Sequence, residues 1–145
     1  MADITNAASS VRPLPGYFAR RFDAGGSIYA GQPVYIAADG DIEAADAGGT
    51  LTGQAIGMAV ADNDGGTLFV AGDRVDVVMF GAVTGFASLT PGLKLFVSAT
   101  AGGLTQDVPA VGSLVCDFGI ALDASTIMVN PVRTANEDPY TVKVS

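Results

Sequence analysis

The chain has 145 residues, nearly half of them apolar, with nineteen glycines, no tryptophan, no histidine, one cysteine and a formal charge of −8. The absent histidine removes the usual general base, the commonest metal ligand and every Ser-His or Cys-His nucleophile. The lone Cys116 excludes an intrachain disulfide framework and a thiolate metal cluster and reads as a small buried hydrophobe.

A chain this long is about one domain, burying roughly two-thirds of the surface it exposes when unfolded. Small aliphatic side chains and tight turns must carry the packing, a β-rich profile. The charge is unevenly spread. Residues 1–21 hold Arg12, Arg20 and Arg21 against Asp3, whereas residues 22–130 hold Arg74 and Lys94 against twelve acids, and the last fifteen balance. An acidic body repels phosphate, and three arginines make a weak nucleic-acid footprint, so no nucleic-acid partner is expected. With no cationic leader followed by an apolar run, and no stretch near the ~20 apolar residues of a spanning helix, no membrane partner is expected and synthesis in the cytosol is.

Residues 1–24 read as an extended N-terminal arm, because Pro13 and Pro15 forbid a continuous helix there. Within it Tyr17-Phe-Ala-Arg-Arg-Phe22 places aromatics beside arginines, a composition found where one protein surface anchors on another. A polar lead-in strand whose aromatics cap the barrel fits the same residues. Ala24-Gly-Gly-Ser27 then turns the chain into a body spanning residues 25–133.

Pro33 introduces the β-branched and aromatic run Val34-Tyr-Ile36, and Asp39-Gly-Asp41 reads as a tight hairpin turn before a strand through Ala44. A further strand covers Ala55–Val60, with Gly57 marking a bulge or a close approach of backbone. Arg74-Val-Asp-Val-Val-Met-Phe80 starts by alternating and becomes apolar throughout, as in a strand covered on both faces, and Gly81–Phe86 continues it past a kink. Thr90-Pro-Gly92 is a type II turn into Leu93–Val97, where Leu95 and Val97 form the more aliphatic face. Strands at Leu114–Leu122 and Thr126–Val129 complete the body. Residues 134–145 form a tail whose Tyr140-Thr-Val-Lys-Val144 alternates as a strand able to pair within or between subunits.

Two stretches follow one plan. Gly31-Gln-Pro-Val-Tyr-Ile-Ala-Ala-Asp-Gly-Asp-Ile-Glu43 closing on Gln54–Asp62 returns as Gly92–Thr105 closing on Asp117-Phe-Gly-Ile-Ala-Leu-Asp123, so residues 31–62 and 92–123 read as similar hairpin modules. Gly31 and Gly92 lie 61 apart and Gly57 and Gly119 lie 62 apart, which places one inserted residue in Ala101-Gly-Gly103.

No catalytic, cofactor or metal site emerges. Asp62-Asn-Asp-Gly-Gly66 begins like a calcium loop, but in that register the first and twelfth positions fall on Val60 and Ala71, which carry no carboxylate. Asp39, Asp41 and Glu43 are accounted for by hairpin chemistry. Gly48-Gly-Thr-Leu-Thr-Gly53 lacks the glycine spacing and the lysine of a phosphate loop.

Across Val75-Asp-Val-Val-Met-Phe-Gly-Ala-Val83, Thr90-Pro-Gly-Leu-Lys-Leu-Phe-Val-Ser-Ala-Thr-Ala-Gly-Gly-Leu-Thr105 and Phe118-Gly-Ile-Ala-Leu-Asp123, the chain resembles the small head decoration, or capsid cement, proteins of tailed bacteriophages. The likeness covers roughly residues 25–130; the longer arm and the added tail depart from it. The resemblance implies an all-β fold, a compact β-barrel or β-tulip of short glycine-hinged strands. It further implies a non-enzymatic virion protein without cofactors, on the outer surface of the capsid, with the major capsid protein as partner and a homotrimer as its own assembly. On that reading Arg12, Tyr17, Phe18, Arg20 and Arg21 are the residues expected to dock on the lattice or on a neighbouring subunit. The rivals are a receptor- or carbohydrate-binding β module of a phage fibre or tail, and a small β-domain enzyme using a carboxylate pair.

Overall fold

A computed structural model of the chain describes residues 4, 10–49, 51–62, 66–107 and 115–132. Among these residues the secondary structure is strand and turn, with no α-helix. The strands are β1 (Arg12–Pro13), β2 (Phe18–Asp23), β3 (Ile28–Tyr29), β4 (Pro33–Ile36), β5 (Ile42–Ala44), β6 (Gly57–Val60), β7 (Leu68–Phe69), β8 (Arg74–Thr84), β9 (Lys94–Val97), β10 (Leu104–Thr105), β11 (Asp117–Ala121) and β12 (Thr126–Val129). The fold is all-β and barrel-like, built on one curled antiparallel sheet. The tail strand expected at Tyr140–Val144 lies outside the described residues, as does Leu114.

The sheet is organised on β8. Along one edge of this eleven-residue strand run β2, opposite residues 74–80, and β1, opposite Val83 and Thr84. Along its other edge lie β6, opposite Asp76–Val78, and then β12, opposite Gly81–Thr84. From that edge two sheets diverge, β6-β4-β5 and β12-β11-β9-β10. Arg12–Pro13 and Phe18–Asp23, expected within an arm, therefore lie along the body as strands paired with β8.

The sheets enclose two cores. One gathers Met58, Val60 and Val78 with Val83, Leu95, Val97, Phe118, Ile127 and Val129, joining both sheets. The other holds Ala24, Ile28, Val34, Ile42, Ala59, Phe69, Val75 and Val77. A parallel bridge between Ala24 and Ile42 returns the end of β2 to β5, so β2-β8-β6-β4-β5 curl around this second core. The β3–β7 pair contributes Ile28 and Phe69 to it. Val75 and Val77 thus face one core and Val78 the other, so this stretch of β8 is covered on both faces. Burying each of these aliphatic side chains contributes about 1.5–3 kcal/mol.

The repeated glycines mark repeated geometry. The order β5-β4-β6 of the first module matches β10-β9-β11 of the second. Gly31 and Gly40 have φ of +94° and +92°, and their counterparts Gly92 and Gly102 have +84° and +78°. The second pair lies 62 apart and β4 and β9 lie 61 apart, so the extra residue falls between Val97 and Gly102, an interval that takes in Ala101 of the expected stretch. Gly57 and Gly119 share a tight approach: a β-carbon on either would collide with a facing carbonyl, of Val78 and of Met128 respectively. At Gly119 there is also a register shift against β9. The first hairpin is wider than a two-residue turn, closing through Ala37 N–H to the Asp41 carbonyl at 2.8 Å.

Candidate docking groove

Phe18-Ala-Arg-Arg-Phe-Asp23 becomes a strand because β8 offers it a complete ladder. Ala19 and Arg21 fall opposite Val78 and Asp76, whereas Arg20 and Phe22 face the other way, opposite Val77 and Val75. A shift between Phe18 and Ala19 leaves Met79 unmatched and brings Phe18 opposite Phe80. Both rings stay in solvent, 61% and 50% exposed, with Tyr17 beside them at 45%.

Gly81 makes this arrangement possible. With φ of +132° it lies under Tyr17, and a β-carbon there would sit 2.8 Å from Tyr17 Cβ. Gly85, with φ of +113°, is covered in the same way by Ser10 and Val11. The close approach of backbone read at glycines in a strand thus seats the segment that leads into β2.

The result is an open groove of about 580 Å³. Val60, Ala61 and Asp76 come from β6, its end and β8; Pro13 comes from β1 and Tyr17 from the turn between β1 and β2; Phe18, Ala19, Arg20 and Arg21 come from β2. Arg21 Nε donates to Asp76 Oδ1 at 2.9 Å. That hydrogen bond, the charge of Asp76 and a weaker pull from Asp62 raise the guanidinium further above its already high pKa. Two residues along the ladder, Arg74 and Asp23 pair at 3.0 Å. The Arg20 guanidinium stands 5.5 Å from the centre of the Phe22 ring, over its face.

Four of the five docking residues expected from sequence line this groove: Tyr17, Phe18, Arg20 and Arg21. Arg12 sits on β1 opposite Thr84, exposed and outside the lining. Tyr17 and Phe18 face solvent on the outer edge, whereas Phe22 is half-buried and packs against the second core. Sequence reading missed Asp76, Val60 and Ala61. Asp76 had a visible signal, as an acid inside an apolar run, but its partner is 55 residues away.

The remaining acids sit largely in turn chemistry. Asp39 accepts from Asp41 N–H, Asp46 from Gly48 N–H and Thr52 Oγ1, Asp62 from Gly66 N–H, Asp73 from Val70 N–H and Asp123 from Ser125 N–H. Among the described residues no three His, Cys, Asp or Glu side chains gather as a metal site. Cys116 is buried against Gly53, and burial first, then Asp117 and Asp46, pushes its thiol pKa up. Tyr35 is likewise pushed up by burial and by Glu43, Asp46 and Asp39. A second, smaller hollow of about 230 Å³ lies over Lys94 and Asp117, bordered by Ile120, Met128 and Val132.

Neither a protein-family model nor a curated protein matches the chain.

Proposed function

We propose that the chain is a structural virion protein, a capsid decoration or cement protein that binds the outer surface of a tailed-phage head and holds the major capsid lattice against the pressure of packed DNA. The observation that carries this reading is the groove, which gathers Tyr17, Phe18, Arg20 and Arg21 on an outer strand of an otherwise acidic body. Aromatic and arginine side chains are the residues that most often anchor protein interfaces. The sequence resemblance to head decoration proteins supplies the partner, the major capsid protein, and the self-assembly, a homotrimer.

Stabilisation follows from linkage: a protein that binds the assembled lattice and not its dissociated subunits shifts the equilibrium toward the lattice. Contacts repeated over a shell add multivalently when each subunit touches more than one neighbour. The test is co-sedimentation with emptied phage heads, with light scattering on the free protein. A trimer that decorates heads and raises their disruption temperature is expected; a monomer that ignores them overturns the reading.

One observation favours a second reading. The exposed cluster of Tyr17, Phe18 and Phe80 also suits stacking on a sugar ring, as in a fibre or tail binding module. Glycan-array binding by the purified protein, abolished by Phe18→Ala, would select it.

A further inference from the structure

We infer that the outer edge of β2 accepts an extended segment of a partner protein in which acidic and apolar side chains alternate. Among the described residues β2 pairs only with β8, so the backbone groups on its other side from Phe18 to Phe22 form an open template for another strand. Alongside lie the exposed rings of Tyr17 and Phe18.

Charge fixes the chemistry of the occupant. Of the five cations among the described residues, Arg12, Arg20, Arg21 and Arg74 all lie on β1, β2 and the start of β8. Arg21 and Arg74 are answered by Asp76 and Asp23. Arg12 and Arg20 have no carboxylate within salt-bridge reach among the described residues. Edge-to-edge pairing with β2 of a second copy would set arginine beside arginine, which is destabilising. A strand carrying acids opposite Arg20 and apolar side chains toward Tyr17 and Phe18 meets both demands.

Only the owner of that strand, a major capsid subunit, rests on the decoration reading; the edge and its chemistry do not. The test uses the full-length protein and two synthetic nine-residue peptides, one alternating Glu and Val and the other Lys and Val, followed by fluorescence anisotropy. Binding of the acidic peptide at least tenfold tighter than the basic one is expected. Arg20→Glu and Phe18→Ser should each weaken it by at least tenfold. Both side chains are exposed, and an unchanged urea midpoint verifies the fold of each variant.

Equal affinity for the two peptides overturns the inference, as does tighter binding of the chain's own segment Glu137–Ser145, which would make its tail the occupant. If Arg20→Glu abolishes peptide binding yet decorates heads like wild type, the edge inference and decoration both stand, and a major capsid subunit is overturned as the owner of the strand. If wild type binds the acidic peptide and ignores heads, decoration fails and the edge inference stands.

Discussion

Tyr17 rests on Gly81 with no room between them for a side chain: a β-carbon on Gly81 would lie 2.7 Å from Tyr17 Cα. The groove, the exposed aromatics and the start of β2 are all placed by that contact.

Gly81→Ala should therefore destabilise the protein by on the order of 2 kcal/mol, since it adds a clash with backbone to a left-handed φ of +132°. The same change should lift residues 14–17 off β8, so trypsin should cut at Arg20 and Arg21 faster than in wild type. An unchanged urea midpoint together with unchanged cleavage would mean that Gly81 does not hold this segment in place.

Two other glycines separate space from conformation. Gly57 has no positive φ but no room, because its β-carbon would strike the Val78 carbonyl; Gly40 has φ of +92° with nothing within 4 Å. Gly57→Ala should cost about 3 kcal/mol through overpacking. Gly40→Asn should cost less, about 1 kcal/mol, because there is room for the side chain and asparagine tolerates positive φ better than most residues, although +92° lies beyond its left-handed well. Chemical denaturation of the two variants checks the pair, and equal losses would refute the distinction.

Acid sensitivity should be traceable to one turn. Asp123 accepts from Ser125 N–H at 2.8 Å and from Ser125 Oγ at 3.2 Å, and these bonds, led by the backbone one, hold its pKa below the ordinary carboxylate value. A carboxylate depressed in the folded state contributes stability that is present above its unfolded pKa and lost as pH falls through the folded one. Asp123→Asn should remove that component, flattening the fall in urea midpoint below about pH 4. Parallel curves for both proteins would assign the acid response elsewhere.

The thiol should be silent until the fold opens. Cys116 is 7% exposed, and its raised pKa keeps it protonated where a free cysteine begins to ionise. Labelling with a disulfide reagent at pH 8 is expected to be slow in native buffer and fast in denaturant. Rapid native labelling would contradict the packing around Gly53.

A cavity in the larger core should come close to unfolding the protein. Phe118 is fully buried at the register shift of β11. Phe118→Ala is expected to cost about 3–5 kcal/mol, a large part of the 5–15 kcal/mol that holds a domain of this kind together. Retention of the wild-type thermal midpoint would show that the core closes around the loss.

What sequence reading captured was local. Val34-Tyr-Ile36 and the alternation of Leu95 and Val97 carry their own period, and Gly57 and Gly119 announce a close approach through their place within strands. What escaped was set at long range. Phe18-Ala-Arg-Arg-Phe-Asp23 has no clean two-residue period, because its outer edge is open and its register comes from β8, more than fifty residues later. β3, β7 and β10 are two residues each, too short to show any period. Of the site, the aromatics and arginines were legible from composition; Val60, Ala61 and Asp76 were not, since only the pairing of β2 and β6 on either side of β8 brings them into one groove.

β8 gives Val75 and Val77 to one core and Val78 and Val83 to the other. Heat or force that frees this strand withdraws a wall from both at the same moment. The molecule has no half that can yield while the other holds, and under load it should give way in a single event.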